Sequence, residues 1–252
     1  MQGAPVVQTP DVVETVAGDN TSLVLICEHA TAFIPSDLND LGLPPEELRR
    51  HIARDIGAAA VTRGLATRLH ATAVLAGVSR LVVDANRAPD HPQAIPEVSD
   101  ETVIPGNLGL SATAWSQRIA RFHRPFHGAV ADAVAVVRHR NPTPALVSIH
   151  SFTPALRGEP VRPWHAGVLW GDDDRLANRL IAALRAEPGL LIGDNEPYTG
   201  RTLFYTLTTH AAEAGLPHLC VEIRQDLIAD AAGVAEWVER LSRLLPACIA
   251  AL

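Results

Sequence analysis

The chain has 252 residues, 47% of them hydrophobic and 19% charged, with a formal net charge of −7 at pH 7. That is the balance of a soluble globular protein, and the negative charge argues against a nucleic-acid partner, which needs a clustered basic face. All 21 Lys or Arg positions are arginine; with no lysine, a Walker-type phosphate loop and any Schiff-base or pyridoxal chemistry are excluded, and guanidinium groups remain as the cations able to grip a carboxylate.

The first twenty residues have no basic start followed by an apolar core, and no apolar run approaches the roughly 20 residues of a membrane span. A cytoplasmic protein is expected, without a membrane partner. Cys27, Cys220 and Cys248 have no metal-type spacing and cannot all pair, so buried, reduced thiols are expected.

In chain order, residues 1–20 read as an irregular lead-in whose valine pairs suit an edge strand. Residues 23–27 form an apolar, β-branched run that reads as a strand buried on both faces, and it stops on Glu28 and His29. A proline-led helix is expected over 47–69, with His51 and Asp55 four apart on one face. Residues 72–75 and 81–83 read as short strands, the second ending on Asp84, Asn86 and Arg87. A long loop over 90–109 suits a lid or binding loop. A helix over 111–140, broken at Pro125, leads to a strand ending on His150 and Ser151. After an irregular stretch come a strand over 166–170, a helix over 172–185 and a short strand over 190–192. The polar loop with Asn195 and Tyr198 precedes a helix over 202–214. A strand ending on Glu222 and Arg224 and an amphipathic helix over 232–252 complete the chain. Strands alternating with helices, without repeat or linker, predict one α/β domain over 1–252. Its expected form is a three-layer, phosphorylase/hydrolase-like fold, with helices on both faces of a mostly parallel or mixed central sheet.

Three apolar strands therefore release polar side chains at one end, where open α/β sheets gather their ligands. His29, Asp55 and His150 meet the ligand requirement of a hydrolytic metal site, with Glu28 as a spare carboxylate, and zinc is the default ion for mixed nitrogen and oxygen donors. Such a site requires the two imidazoles to come within on the order of 5 Å of each other. Glu222 suits a general base. Asn86, Arg87 and Arg224 suit carboxylate recognition, and Asn195, Tyr198 and Arg201 form a polar cluster able to orient a substrate. No Gly-x-Ser-x-Gly elbow surrounds Ser148 or Ser151, which leaves a serine triad without support. His123 and His127 read as surface or core histidines, and His210, on a predicted helix, reads equally as a packing or a functional histidine.

Six blocks carry a resemblance: Cys27-Glu-His-Ala30, His51-x-x-x-Asp55-Ile-Gly57-Ala58, Ser79-Arg-Leu-Val-Val-Asp84-x-Asn86-Arg87, Ser148-x-His150-Ser151, Asn195-x-Pro-Tyr198 and Glu222-Ile-Arg224-Gln225. In this order the chain resembles the N-formylglutamate amidohydrolase family over about residues 23–230. The resemblance implies a fold similar to the zinc-carboxypeptidase-like hydrolases and cleavage of the amide of a small N-formyl or N-acyl amino acid. It implies one zinc ion at His29 and His150, a substrate carboxylate held by Asn86 and Arg87, and Glu222 as base. Ala30-Thr31 follow the first histidine where relatives show Ser-Gly, and Arg54 stands where relatives carry Trp, which reads as a divergent subgroup. The rival readings are a metallo-carboxypeptidase or deacylase for other acyl amides, and a non-catalytic carboxylate-binding module.

Overall fold

The computed structural model describes residues 12–252, so the first part of the lead-in lies outside the described residues. Among the described residues there are nine strands: β1 (Val13–Val16), β2 (Leu23–Cys27), β3 (Thr72–Ala76), β4 (Val98–Ser99), β5 (Thr102–Val103), β6 (Ala145–Phe152), β7 (Ala166–Leu169), β8 (Ile192–Asp194) and β9 (His218–Arg224). Seven of them build one sheet in the order β1-β3-β2-β6-β9-β7-β8, and β4 and β5 make a separate hairpin. The centre is parallel, from β3 through β2 and β6 to β9, while β1 and β7 join antiparallel. The sheet is thus mixed, and its central strands are buried along their whole length, as their continuous apolar runs require.

The helices are α1 (Pro45–Leu48), α2 (Ala58–Leu69), α3 (Ala112–Arg118), α4 (Arg124–Arg138), α5 (Arg175–Arg185), α6 (Gly200–Leu203), α7 (Tyr205–His210) and α8 (Ala231–Ala250). Alternation along the strands divides the core in two. Leu23, Leu25, Val147, Ile149 and Val221 pack with α2, α5 and α8 on one face, whereas Val24, Ile26, Leu146 and Cys220 pack with α4 and α7 on the other. Helices therefore cover both faces of the sheet. A third cluster, including Ile34, Leu41, Ile52, Leu81, Ile95 and Phe122, lies under the irregular segments at one end of the sheet.

Two sequence expectations change here. The helix expected over 47–69 is interrupted: residues 49–57 form turns between α1 and α2, so His51 and Asp55 do not share a helical face. Gly57 is the reason the second helix begins where it does. Its φ is +83°, and a Cβ there would sit 2.2 Å from the carbonyl oxygen of Ile228, which favours glycine at this position on both counts. The strand expected over 81–83 is also absent; Leu81, Val82 and Val83 are buried in the loop-side core instead, in a turn opened by Ser79, whose carbonyl accepts from the Val82 amide at 2.9 Å. A short apolar run satisfies burial in either arrangement, and the pattern alone does not separate them.

The break in the long helix is a π-helical turn over Ile119–His123, two residues ahead of Pro125. Proline lacks an N–H and its ring crowds the carbonyl four residues back; the wider turn relieves both. Among the described residues no helix is long and apolar enough to cross a membrane. All three cysteines are free and buried.

Candidate active site

Period-2 alternation decides which polar side chains can meet. His150 and Glu222 are register partners in β6 and β9, on the same face as Leu146 and Cys220. Ser148 shares that face, and its hydroxyl donates to Glu28 Oε2 at 2.5 Å just beyond the end of β2. His29 follows by one residue, and its carbonyl accepts from the Asp55 amide at 3.0 Å, which ties the 49–57 turn to the strand exit. Ser151 completes the tie: its amide donates to Asp55 Oδ2 at 3.2 Å and its hydroxyl to the Ile56 carbonyl at 2.8 Å.

Asp55 is consequently the hub. Its Oδ2 lies 2.7 Å from His150 Nδ1 and 3.4 Å from His29 Nδ1. One donor atom from each of His29, Asp55 and His150 lies within 4.8 Å of the others, all three residues buried. The expected convergence of two distant imidazoles on one point is therefore met. The opposite ring nitrogens face carboxylates: His29 Nε2 is 2.8 Å from Asp84 Oδ1, and His150 Nε2 is 3.0 Å from Glu28 Oε2. The second contact is an ion pair and not an aligned hydrogen bond, because His150 Nε2 is one of the buried atoms left without a hydrogen-bond partner, together with Glu28 Oε1 and Glu222 Oε2.

Charge balance explains the ionisation of this group. Burial raises the Asp55 carboxyl, but His29 and His150 overcome it and hold the group well below the carboxylate range. Burial likewise works against Glu28, which His150 and Ser148 bring down to about 2. His150 itself is desolvated, yet Glu28 and Asp55 on either side push its pKa well above the usual imidazole value. The residues fit a divalent cation on these grounds: two imidazoles and a carboxylate converge, anionic groups surround them, and buried polar atoms stand without partners. Each imidazole also has a carboxylate behind it, the arrangement that orients metal-bound histidines.

Glu222 differs from its neighbours. Burial, reinforced by the Asp55 charge and opposed by His150, His29 and Arg80, raises it to about 7. A carboxyl poised near neutrality beside a candidate metal centre suits proton transfer.

A cleft of about 180 Å³ opens onto this group, lined among others by His51, Arg80, Asn86, Arg87, Tyr198 and Glu222. That is below the roughly 300–1,000 Å³ of drug-sized sites and suits a compact ligand. Of the residues singled out in the sequence, His29, Asp55, His150, Asn86, Arg87, Tyr198 and Glu222 line it. Three stand apart. Arg224 shares the face of Glu222 by alternation, but at the end of β9 it pairs with Asp226 at 2.8 Å and does not line the cleft. Asn195, at φ 51°, accepts from the Trp170 and Gly200 amides and shapes a turn. Arg201 lies over the Trp170 ring.

Sequence reasoning passed over Arg80, which lines the cleft and donates to Asp84 Oδ2 at 2.8 Å and to Asp55 Oδ1 at 3.4 Å. Its signal was available, since Arg80 and Asp84 are four apart in the Ser79-to-Arg87 block. Cys220 also lines the cleft, but burial raises its thiol well above the ordinary value, which removes it as a nucleophile.

The model of the N-formylglutamate amidohydrolase family matches residues 21–229. The chain belongs to the N-formylglutamate amidohydrolase family. Its fold is similar to the crystal structure of a gene product from Agrobacterium tumefaciens, with 35% identity, 95% of each chain covered and a TM-score of 0.89. It is also similar to an N-formylglutamate amidohydrolase from Ralstonia eutropha JMP134, at 22% identity and a TM-score of 0.72, covering 95% of this chain and 97% of that one. The second likeness concerns the fold alone. Among curated proteins nothing matches. Membership makes this chain an amidohydrolase by family, with a buried His-Asp-His group able to hold a metal ion.

Proposed function

We propose that this amidohydrolase is zinc-dependent and cleaves the amide of a small N-formyl or N-acyl amino acid such as N-formylglutamate, in one catalytic domain. The observation that carries the reading is the convergence of His29, Asp55 and His150 beside Glu222, whose carboxyl is raised to about 7. A zinc ion on that triad, bound as a Lewis acid, supplies a water of lowered pKa and polarisation of the acyl carbonyl.

The remaining work falls to side chains. Glu222 Oε2, buried and without a partner, takes the proton of the attacking water and returns it to the departing amine. Arg80, the cation beside Asp55 and Asp84, offers positive charge where oxygen develops negative charge. Arg87 and Asn86 hold the substrate carboxylate, and Tyr198, whose hydroxyl accepts from Arg162 at 2.8 Å, closes one wall. Arg224, Asn195 and Arg201 support the surrounding backbone and surface in this reading.

The test is release of free amine from a panel of N-formyl and longer N-acyl amino acids and short peptides, with and without chelator. Chelator-sensitive release from N-formyl compounds is expected. A preference for peptides would favour a carboxypeptidase, and binding without release a carboxylate-binding module.

A further inference from the structure

Residues 81–87 do not form a strand, so the carbonyls that flank Asn86 have no sheet ladder to satisfy them. Buried backbone oxygens need partners from elsewhere. Here they come from imidazoles: His127 Nε2 lies 2.9 Å from the Ala85 carbonyl and His123 Nε2 lies 2.9 Å from the Arg87 carbonyl. We propose that His123 and His127 are positioning residues that hold the Asn86–Arg87 pair in place to receive the substrate carboxylate.

The geometry fixes which atoms carry hydrogen. A carbonyl only accepts, so both Nε2 atoms are protonated. His127 is buried among neighbours that oppose a charge, including His123, and its pKa falls to about 4, which leaves it neutral with a bare Nδ1. His210 Nε2, 2.9 Å away, must therefore donate to His127 Nδ1. The outcome is a directed chain from His210 through His127 to the Ala85 carbonyl. Thr206 adds a second brace from α7: its amide donates to Asn86 Oδ1 at 3.2 Å and its hydroxyl to the Ala85 carbonyl at 3.4 Å.

Two features explain how the imidazoles reach this loop. The π-helical turn ends at His123, where the long helix changes from packing against the loop-side core through Ile119 and Phe122 to packing against the sheet through Phe126 and Val130. His123 and His127 stand at that junction one turn apart, their ring centroids separated by 4.3 Å. Such insertions often occur at functional sites.

The role rests on Arg87 and Asn86 being the carboxylate clamp of the proposed function. The test is equilibrium binding of N-formylglutamate, and of the same compound with its α-carboxylate converted to an amide, to metal-stripped full-length protein. Binding without turnover separates the clamp from the chemistry. His127→Ala is expected to weaken the carboxylate ligand about 5- to 10-fold, the effect of one lost hydrogen bond, while changing the amide ligand by less than about twofold. His127→Gln, whose side-chain nitrogen can stand where Nε2 does, is expected to regain most of the loss. His123→Ala is read in the same way and serves if His127→Ala does not fold. Unchanged affinity, or equal losses for both ligands, would overturn the positioning role. Carboxylate-dependent binding by a wild-type protein that never releases amine would remove the hydrolase reading and leave this one intact, whereas a wild type that binds neither compound would remove both.

Discussion

The carboxylate of Glu28 lies 3.0 Å from His150 Nε2, on the side of the ring opposite Asp55, and the Ser148 hydroxyl holds it there. In the proposed zinc site Glu28 thus stands behind His150, where its charge favours the imidazole's place and raises its basicity. Asp84 stands in the same relation to His29.

Replacing Glu28 by Gln removes the charge and keeps the shape. Zinc affinity is expected to fall about 10- to 100-fold, measured by competition with a chromophoric chelator. Unchanged affinity would mean that Glu28 is only a buried partner of Ser148.

Glu222→Gln is expected to lower turnover at least about 100-fold while metal content stays at the wild-type level. Metal analysis of the same preparation makes the result specific to proton transfer. An unchanged rate would take Glu222 out of its role.

The raised carboxyl of Glu222 also has a pH signature. As a base it must be ionised, so kcat/KM is expected to rise along an acid limb between its ordinary value of 4.5 and about 7, a bound cation drawing it toward the lower end. The sign for stability is opposite. A carboxyl whose folded pKa lies above its unfolded value favours the fold while protonated, and that contribution is present below pH 4.5 and is lost as pH rises through about 7. Metal-free wild type should therefore lose thermal stability relative to Glu222→Gln between about pH 4.5 and 7. Parallel melting curves across that range would contradict the assignment.

Gly57→Ala probes the turn that carries Asp55. The positive φ and the 2.2 Å approach to the Ile228 carbonyl leave no room for a methyl group. A loss of about 1–3 kcal/mol is expected from backbone strain, read by denaturant unfolding, with metal affinity falling as Asp55 shifts.

The strand ends were readable because chemistry and periodicity coincide there: Glu28-His29, His150 and Glu222 each follow an apolar run, and alternation places His150 and Glu222 on one face. The sheet order, and which strands run antiparallel, were not readable, since β1 and β7 differ from the parallel strands only in tertiary pairing. Asp55 was singled out as a candidate ligand by residue type, but the helical face expected for it is a turn held by His29 and Ser151. Arg224 and Arg201 were misplaced because an arginine near a strand end or in a polar loop has the same appearance in sequence whether it turns inward or meets Asp226 or Trp170. His123 and His127 gain meaning only from contacts that cross tens of residues.

The central claim is that His29, Asp55 and His150 share one divalent ion. Elemental analysis of the protein after zinc exposure and removal of free metal tests it most directly, with His150→Ala measured alongside. One zinc per wild-type chain and a loss of at least about tenfold in affinity in the variant are expected; wild-type protein that retains no stoichiometric metal, or a variant that retains it equally, would contradict the account.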